Sequence, residues 1–196
     1  IMLENTIYFA NLKTKEWGVL MANMESGSYA ISDDGTVIAY NTTGKRNDSD
    51  SITIVDLTNG NKNVIDAGAG NKIAVCGYTG SNLVYGLGNA ADVGKYNFFP
   101  MYKLQIVDKE LNEIKSYSRD KVIITGVEIT DTIINIKRQK KGKAIADDQL
   151  LDNTEDTQVV ASTSYYLDNT KQKELAISFT NNLDTNLELQ VIEQGK

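Results

Sequence analysis

The chain has 196 residues, 41% of them hydrophobic and 23% charged, an ordinary balance for a globular protein with a core large enough to need no disulfide staples. Its net charge of −6 argues against a general nucleic-acid binder, whose backbone contacts need clustered Lys and Arg. There is no His and one Cys, Cys76, which excludes the Ser-His-Asp triad, the Cys-His dyad, imidazole metal sites and an internal disulfide.

The chain opens Ile1-Met2-Leu3-Glu4 and enters a strand-like run with no signal peptide. Because a natural start puts Met first, it reads as an excised or processed piece of a longer chain. No stretch approaches the roughly 18 apolar residues of a membrane helix. Residues 6–10 and 16–24 read as two strands, the remnant of a repeat whose earlier strands are missing. Asp34-Gly35, between apolar runs, signals a hairpin, and so does Asn59-Gly60, because Gly accepts the positive φ of tight turns. Residues 52–57 and 62–66 are therefore expected to pair as antiparallel strands. A long loop, residues 88–100, follows the next pair of strands, and residues 122–136 hold another strand pair. Residues 143–151 carry Ala, Ile and Leu and are the best candidate for a helix, two turns at most. Residues 174–180 alternate with Leu175, Ile177 and Phe179 on one face. Leu187, Leu189 and Val191 do the same, which predicts a C-terminal hairpin around a turn at 181–186.

One phrase is written twice. Ala30-Ile31-Ser32-Asp33-Asp34-Gly35-Thr36-Val37-Ile38-Ala39-Tyr40 leads to Ser51-Ile52-Thr53-Ile54-Val55-Asp56. Ala74-Val75-Cys76-Gly77-Tyr78-Thr79-Gly80-Ser81-Asn82-Leu83-Val84-Tyr85 leads to Tyr102-Lys103-Leu104-Gln105-Ile106-Val107-Asp108. Each copy reads strand, Gly-containing turn, strand, loop, strand ending in Val-Asp. A period of about 40–50 residues is the mark of blade-like all-β repeats. The expected fold is all-β: propeller-like blades, about three recognisable, plus a C-terminal β-hairpin. The blade remnant spans 4–25 and the blades span 28–67, 72–118 and 122–158; residues 159–196 form the hairpin segment. Three blades are fewer than the roughly four of a closed propeller, so open edges are expected to be covered by upstream blades, a second copy or the hairpin.

Residues 31–40 and 54–60 resemble the "S-x-D-G-x-x-I-A-Y" phrase and the following Asp–Gly turn of TolB-like and WD-repeat-like propellers. The Pro expected at Asp33 is absent, as is the Trp-Asp pair of WD repeats. The whole chain resembles the C-terminal propeller part of uncharacterised surface lipoproteins of Gram-positive anaerobes. That resemblance implies an extracytoplasmic, cell-surface location and binding of protein or glycan, and it supplies no catalytic residues.

Gly86-Leu87-Gly88-Asn89-Ala90-Ala91 mimics a dinucleotide fingerprint, with Asp108 about twenty residues on. The fingerprint needs a helix directly after the glycines, and Gly94, Asn97 and Pro100 leave no room for one. Gly94-Lys95 fails as a phosphate loop because Tyr96 stands where Ser or Thr holds magnesium. Asp33-Asp34, residues 47–50 and residues 152–156 are oxygen-rich turns, yet calcium needs six to eight converging oxygens, so no metal or other cofactor is expected. The basic run Lys137, Arg138, Lys140, Lys141 and Lys143 faces an acidic segment, 147–156, that offsets it. Paired carboxylates for glycoside hydrolysis are not singled out by any spacing. The aromatics Tyr96, Phe98, Phe99 and Tyr102 are the candidate ligand-binding residues, with core packing the equal alternative, and Tyr165-Tyr166 is a second such pair. The expected function is non-catalytic binding or scaffolding through blade loops. The alternative is part of an enzyme or ligand sensor completed by upstream blades, and a third reading is a dimer that closes its sheets by chain exchange.

Overall fold

A computed structural model describes residues 2–11 and 14–152, together with the backbone of 161–167 and 173–179. Among the described residues every regular element but one is a strand. β1 (Met2–Leu3), β2 (Thr6–Asn11) and β3 (Glu16–Met21) form a first sheet. A second sheet follows in chain order: β4 (Tyr29–Ile31), β5 (Val37–Asn41), β6 (Ser51–Asp56) and β7 (Lys62–Asp66). The third contains β8 (Asn71–Thr79), β9 (Asn82–Asn89), β10 (Lys103–Val107) and β11 (Glu113–Ser118). The fourth contains β12 (Val122–Thr130), β13 (Ile133–Lys140) and β14 (Lys143–Leu151). β15 (Ala161–Leu167) pairs with β16 (Lys173–Phe179). Each sheet is an antiparallel meander with sequence neighbours side by side. The two copies of the repeated phrase lie on the second and third sheets. The chain is thus all-β and built of blade-like repeats.

The first four sheets stack in chain order. The first strand of the third sheet, β8, lies against β4 of the second and β12 of the fourth. Alternate residues of one strand therefore enter different layers. On β5, Ile38 and Tyr40 join Ile7 and Met24 between the first and second sheets. Ala39, between them in sequence, joins Ile52, Ile73, Val75 and Tyr85 between the second and third. On β9, Leu83 and Tyr85 face the second sheet while Val84 joins Leu104, Ile106, Ile134 and Ile136 against the fourth. Burial on both faces explains why these antiparallel strands are written as near-continuous apolar runs.

Polar groups tie the layers together. The Gly80 N–H donates to Asp33 Oδ2 at 2.9 Å, joining the repeated turns of the second and third sheets. The Thr79 hydroxyl donates to the Asp131 carbonyl at 3.0 Å, joining the third to the fourth. β8 is an edge strand, and its outward N–H groups are not left bare. The Ile73 N–H donates to the Ser49 carbonyl, and the Val75 N–H donates to Asn41 Oδ1.

Residues 52–57 and 62–66 pair as the Asn-Gly turn predicts, with Gly60 at φ 78°. One sequence expectation is corrected. Residues 143–151 are not helical but form β14. Lys141 and Gly142, at φ 50° and 73°, turn the chain straight back along β13, and cross-strand pairing outweighs a weak local preference for helix. Among the described residues β16 pairs with β15, a strand the alternation of residues 174–191 did not suggest. The expected partner, 187–191, lies outside the described residues, as do the side chains of Tyr165 and Tyr166.

Candidate functional site

The loop between β9 and β10 is the longest connection between paired strands, and it carries the four aromatics singled out by sequence. One turn of 3-10 helix, Ala90–Asp92, follows β9. Asp92 then accepts from Lys95 Nζ at 2.8 Å, and the Lys95 N–H donates to the Asp92 carbonyl. The rings of Tyr96 and Phe98 stack with centroids 5.1 Å apart and planes 24° apart. Tyr96 is 37% exposed and Phe98 is half-buried. Phe99 faces the other way: 6% exposed, it packs with Met101, Leu104 and Ile124 between the third and fourth sheets. Tyr102 is half-buried, and its hydroxyl donates to Asn71 Oδ1 at 3.3 Å. The structure thus brings Tyr96 and Phe98 together as a surface pair and assigns Phe99 to the core.

The loop returns across β9, which explains the glycines that mimic a nucleotide fingerprint. A Cβ on Gly88 would stand 2.5 Å from the Pro100 carbonyl oxygen and 3.1 Å from the Phe99 ring, and one on Gly86 would overlap Met101. Both positions need a bare Cα because the loop lies on them. Met101 also bridges to Ile124 of β12, so the base of the loop is fixed to two sheets while its tip stands clear.

The oxygen-rich turns are engaged internally. Lys72 Nζ lies 2.6 Å from Asp48 and 2.9 Å from Asp50. The Asp48 carboxyl is held below its usual range, first by its hydrogen bond from Lys72. Asp34 accepts from the Ser32 hydroxyl at 2.6 Å and from both the amide and the hydroxyl of Thr36. Burial pulls its carboxyl upward, but those donors and Lys109 outweigh burial and hold it below the usual value. Asp152, 1% exposed, accepts from Asn82 Nδ2 at 2.8 Å. Among the described residues no three Asp, Glu or Cys side chains converge as a metal site. Burial pushes the Cys76 thiol up to about 12, so it is not a thiolate nucleophile at neutral pH.

Two features were missed by sequence reasoning. Arg138, in the basic run, donates to Tyr117 Oη at 2.7 Å and to Asp148 Oδ2 at 2.9 Å, and Tyr117 donates to the same carboxylate. Only the register of β13 on β14 brings Arg138 and Asp148 together. The second is a cleft of about 160 Å³ between the second and third sheets. Val37, Ile54, Leu83 and Leu111 give it apolar walls, and Asp56, Asp108 and Lys109 line it as well. The two Asp residues are the Val-Asp ends of the two repeats.

No protein-family model matches the chain, and no curated protein matches it. Among solved structures it is similar to a chain described as "Crystal Structure of Mitotic Checkpoint Complex", with a TM-score of 0.43 and 11% identity. The match covers 73% of this chain and 43% of that one, so the chain spans less than half the length of the protein it matches. A likeness this distant transfers no function, and the all-β architecture rests on the strand order itself.

Proposed function

We propose that this chain is a non-catalytic binding module of a cell-surface protein, one that contacts protein or glycan through its loops. The observation that carries the reading is the Tyr96–Phe98 pair. Two stacked rings stand on a loop whose base is pinned by Phe99, Met101 and Pro100, so a flat aromatic surface is presented with little freedom left to lose on binding. Aromatic loops on rigid β scaffolds are common contact sites. The described carboxylates Asp34, Asp56 and Asp108 are committed to closing their own turns, which suits a scaffold better than acid–base chemistry. The surface location rests on the resemblance of the whole chain to the propeller part of surface lipoproteins.

The test is selection on the whole chain. A random peptide library and an array of cell-wall glycans are each screened against wild type and against the Tyr96→Ala/Phe98→Ala double variant. The expected result is ligands that lose tenfold or more in affinity, about 1.4 kcal/mol, on the double variant while its urea midpoint is unchanged. Ligands that bind both proteins equally, or the absence of any ligand from both screens, overturn the reading.

A further inference from the structure

We infer that the turn joining β13 to β14, together with the connection that leads into β12, is a cationic surface that binds an anionic glycan, a sugar polymer with carboxylates or phosphates on its units. The surface shares no residue with the Tyr96–Phe98 pair, and the inference goes beyond the function proposed for that pair. Val122 pairs with Lys140, and Lys140 pairs with Lys143 across the turn at Lys141-Gly142. Residues 119–121 therefore emerge at the same end of the fourth sheet as 140–143. Arg119, Lys121, Lys140, Lys141 and Lys143 gather there, all exposed, on a chain whose net charge is −6.

Three observations converge on that partner. First, the charge is not cancelled among the described residues. The acidic segment expected to offset the basic run reaches only its first half: Asp148 is taken by Arg138 and Tyr117, and Asp152 is buried. Lys137 faces Glu128 at 3.7 Å, and Lys121 has Asp120 at 3.7 Å. Asp147 stands four residues along β14 from Lys143, about 13 Å at the rise of a strand, beyond the Debye length of about 8 Å at physiological salt. Among the described residues Lys140, Lys141 and Lys143 enter no ion pair. Second, the turn is written against its own stability. Like charges directly opposite destabilise a strand pair, yet Lys140 faces Lys143. Two-residue hairpin turns favour Asn or Asp before Gly, yet Lys141 takes the left-handed place at φ 50°. At the other end of the same sheet Asp131 holds such a place. A bound polyanion turns the repulsion among these lysines into attraction. Third, the side chains select the class of anion. Lysines are point charges on flexible stems, whereas single phosphates and carboxylates of peptides are gripped by the planar fork of Arg. Here Arg138 is engaged by Asp148, and the Arg119 guanidinium lies 4.7 Å from the centre of the Tyr117 ring. No large apolar side chain is exposed among residues 119–122 and 138–146, so the surface has nothing to insert into a lipid layer or to offer a peptide's anchors. A hydrated polymer of repeated charges requires neither.

The experiment titrates the whole chain, by calorimetry at low salt, with polygalacturonate and with phosphorylated dextran. Methyl-esterified polygalacturonate and plain dextran are the uncharged counterparts. Polyglutamate and vesicles of phosphatidylglycerol and phosphatidylcholine represent the other anionic partners. The expected result is binding of a charged polymer and not of its uncharged counterpart, with log K falling linearly in log salt as counterions are released. Lys140→Gln/Lys141→Gln/Lys143→Gln should weaken binding about tenfold or more and flatten the salt slope. Its urea midpoint should not fall, since only unpaired like charges are removed. Lys140→Arg/Lys141→Arg/Lys143→Arg should keep the affinity. Lys15→Gln/Lys45→Gln/Lys62→Gln makes the same change of net charge on the first and second sheets and should bind as wild type does. Binding of polygalacturonate alone identifies carboxylate as the group recognised, and binding of phosphorylated dextran alone identifies phosphate. No binding of either charged polymer, tighter binding of polyglutamate or of the vesicles, full affinity in the Lys140→Gln/Lys141→Gln/Lys143→Gln variant, or equal losses in the two Gln variants overturns the inference.

Discussion

Asn41→Ala removes a side chain that substitutes for a missing strand. Asn41 is fully buried at the end of β5. Its Oδ1 accepts from the Val75 N–H at 2.9 Å, and its Nδ2 donates to the carbonyls of Lys45 and Arg46 at 2.8 and 3.0 Å. The two carbonyls belong to exposed loop residues, where water replaces the lost donor at small cost. The Val75 N–H is different: it lies on the edge of the third sheet under the second, and nothing else reaches it. An orphaned buried donor costs about 1–3 kcal/mol, and each exchanged hydrogen bond about 0.5–1.5 kcal/mol. One orphaned donor and two exchanged bonds together give about 2–6 kcal/mol, a large share of the roughly 5–15 kcal/mol of a typical domain. Urea unfolding reads this as a lower midpoint at constant slope. Asn41→Asp separates the two halves of the site. It keeps the acceptor for Val75 but sets a buried carboxylate against two carbonyls, so it is worse than Ala at pH 7. Burial without a cation raises that carboxyl's pKa, so protonation favours the folded state and stability returns as the pH falls through the raised value. An Asn41→Ala midpoint that moves by less than about 0.5 kcal/mol, the range of an ordinary surface change, refutes the edge-sealing role.

The two faces of the aromatic loop separate by stability. Phe99→Ala should cost about 3–5 kcal/mol, whereas Phe98→Ala and Tyr96→Ala should each stay within about 1 kcal/mol, and equal losses in chemical denaturation contradict the split. Gly88→Ala should cost about 1–3 kcal/mol, as overpacking does, because the Pro100 carbonyl cannot withdraw without moving Phe99; a neutral Gly88→Ala leaves the fingerprint-like glycines unexplained. Stability should be level near neutral pH and fall below about pH 4, since the folded carboxyls of Asp34, Asp48 and Asp108 lie below the unfolded value of about 3.9 and the unfolded chain takes up protons first. Asp33, raised chiefly by burial, works in the opposite direction, and a urea midpoint that rises on acidification would mean it dominates. Cys76, whose thiol faces the Ala74 carbonyl and Met101 Sδ at 3.8 Å, should be inert to a disulfide reagent at pH 8 in the native state and react on unfolding; rapid native labelling counts against its buried setting.

The strands of the two repeats were legible because they are buried on both faces, so runs such as Val37-Ile38-Ala39-Tyr40 and Leu83-Val84-Tyr85 had no reading as amphipathic helix. The turns were legible because Asn59-Gly60 specifies its own geometry. Residues 143–151 were not: Lys, Ala, Gln and Leu favour helix locally, and only the turn at Lys141-Gly142 and the register on β13 make them a strand. The aromatic loop was legible as a loop but not in its division of labour. Phe98 and Phe99 are adjacent and chemically identical, and only the return of the chain across Gly86 and Gly88 decides which ring is outside. The cleft was beyond reach for a further reason. Its lining comes from five strands and three turns, separated by up to seventy-odd positions, and none of its residue types is unusual where it stands.

That last point bears on how stacked repeats acquire sites. Asp56 and Asp108 hold the same place in their repeats, and each closes its own turn, through Thr58 and Asn59 in one case and Asn112 in the other. Either alone is a turn-forming Asp of the ordinary kind. Stacking the second sheet on the third sets both beside one cleft, where their charges add and the single Lys109 does not cancel them. A residue retained in each repeat for a local reason thereby becomes half of a charged pair. Tyr78 has no hydroxyl-bearing counterpart in the first repeat, where Asp33 or Asp34 stands in the corresponding turn region. It is the departure from the repeat, and not the repeat itself, that leaves a buried hydroxyl without a partner. Phe fits the same space without the buried, unpartnered hydroxyl, so Tyr78→Phe should raise stability by about 1–3 kcal/mol, the cost of the unpaired group, read by urea unfolding at constant slope. A variant no more stable than wild type would mean that the hydroxyl finds a partner, and refutes its being an uncompensated group.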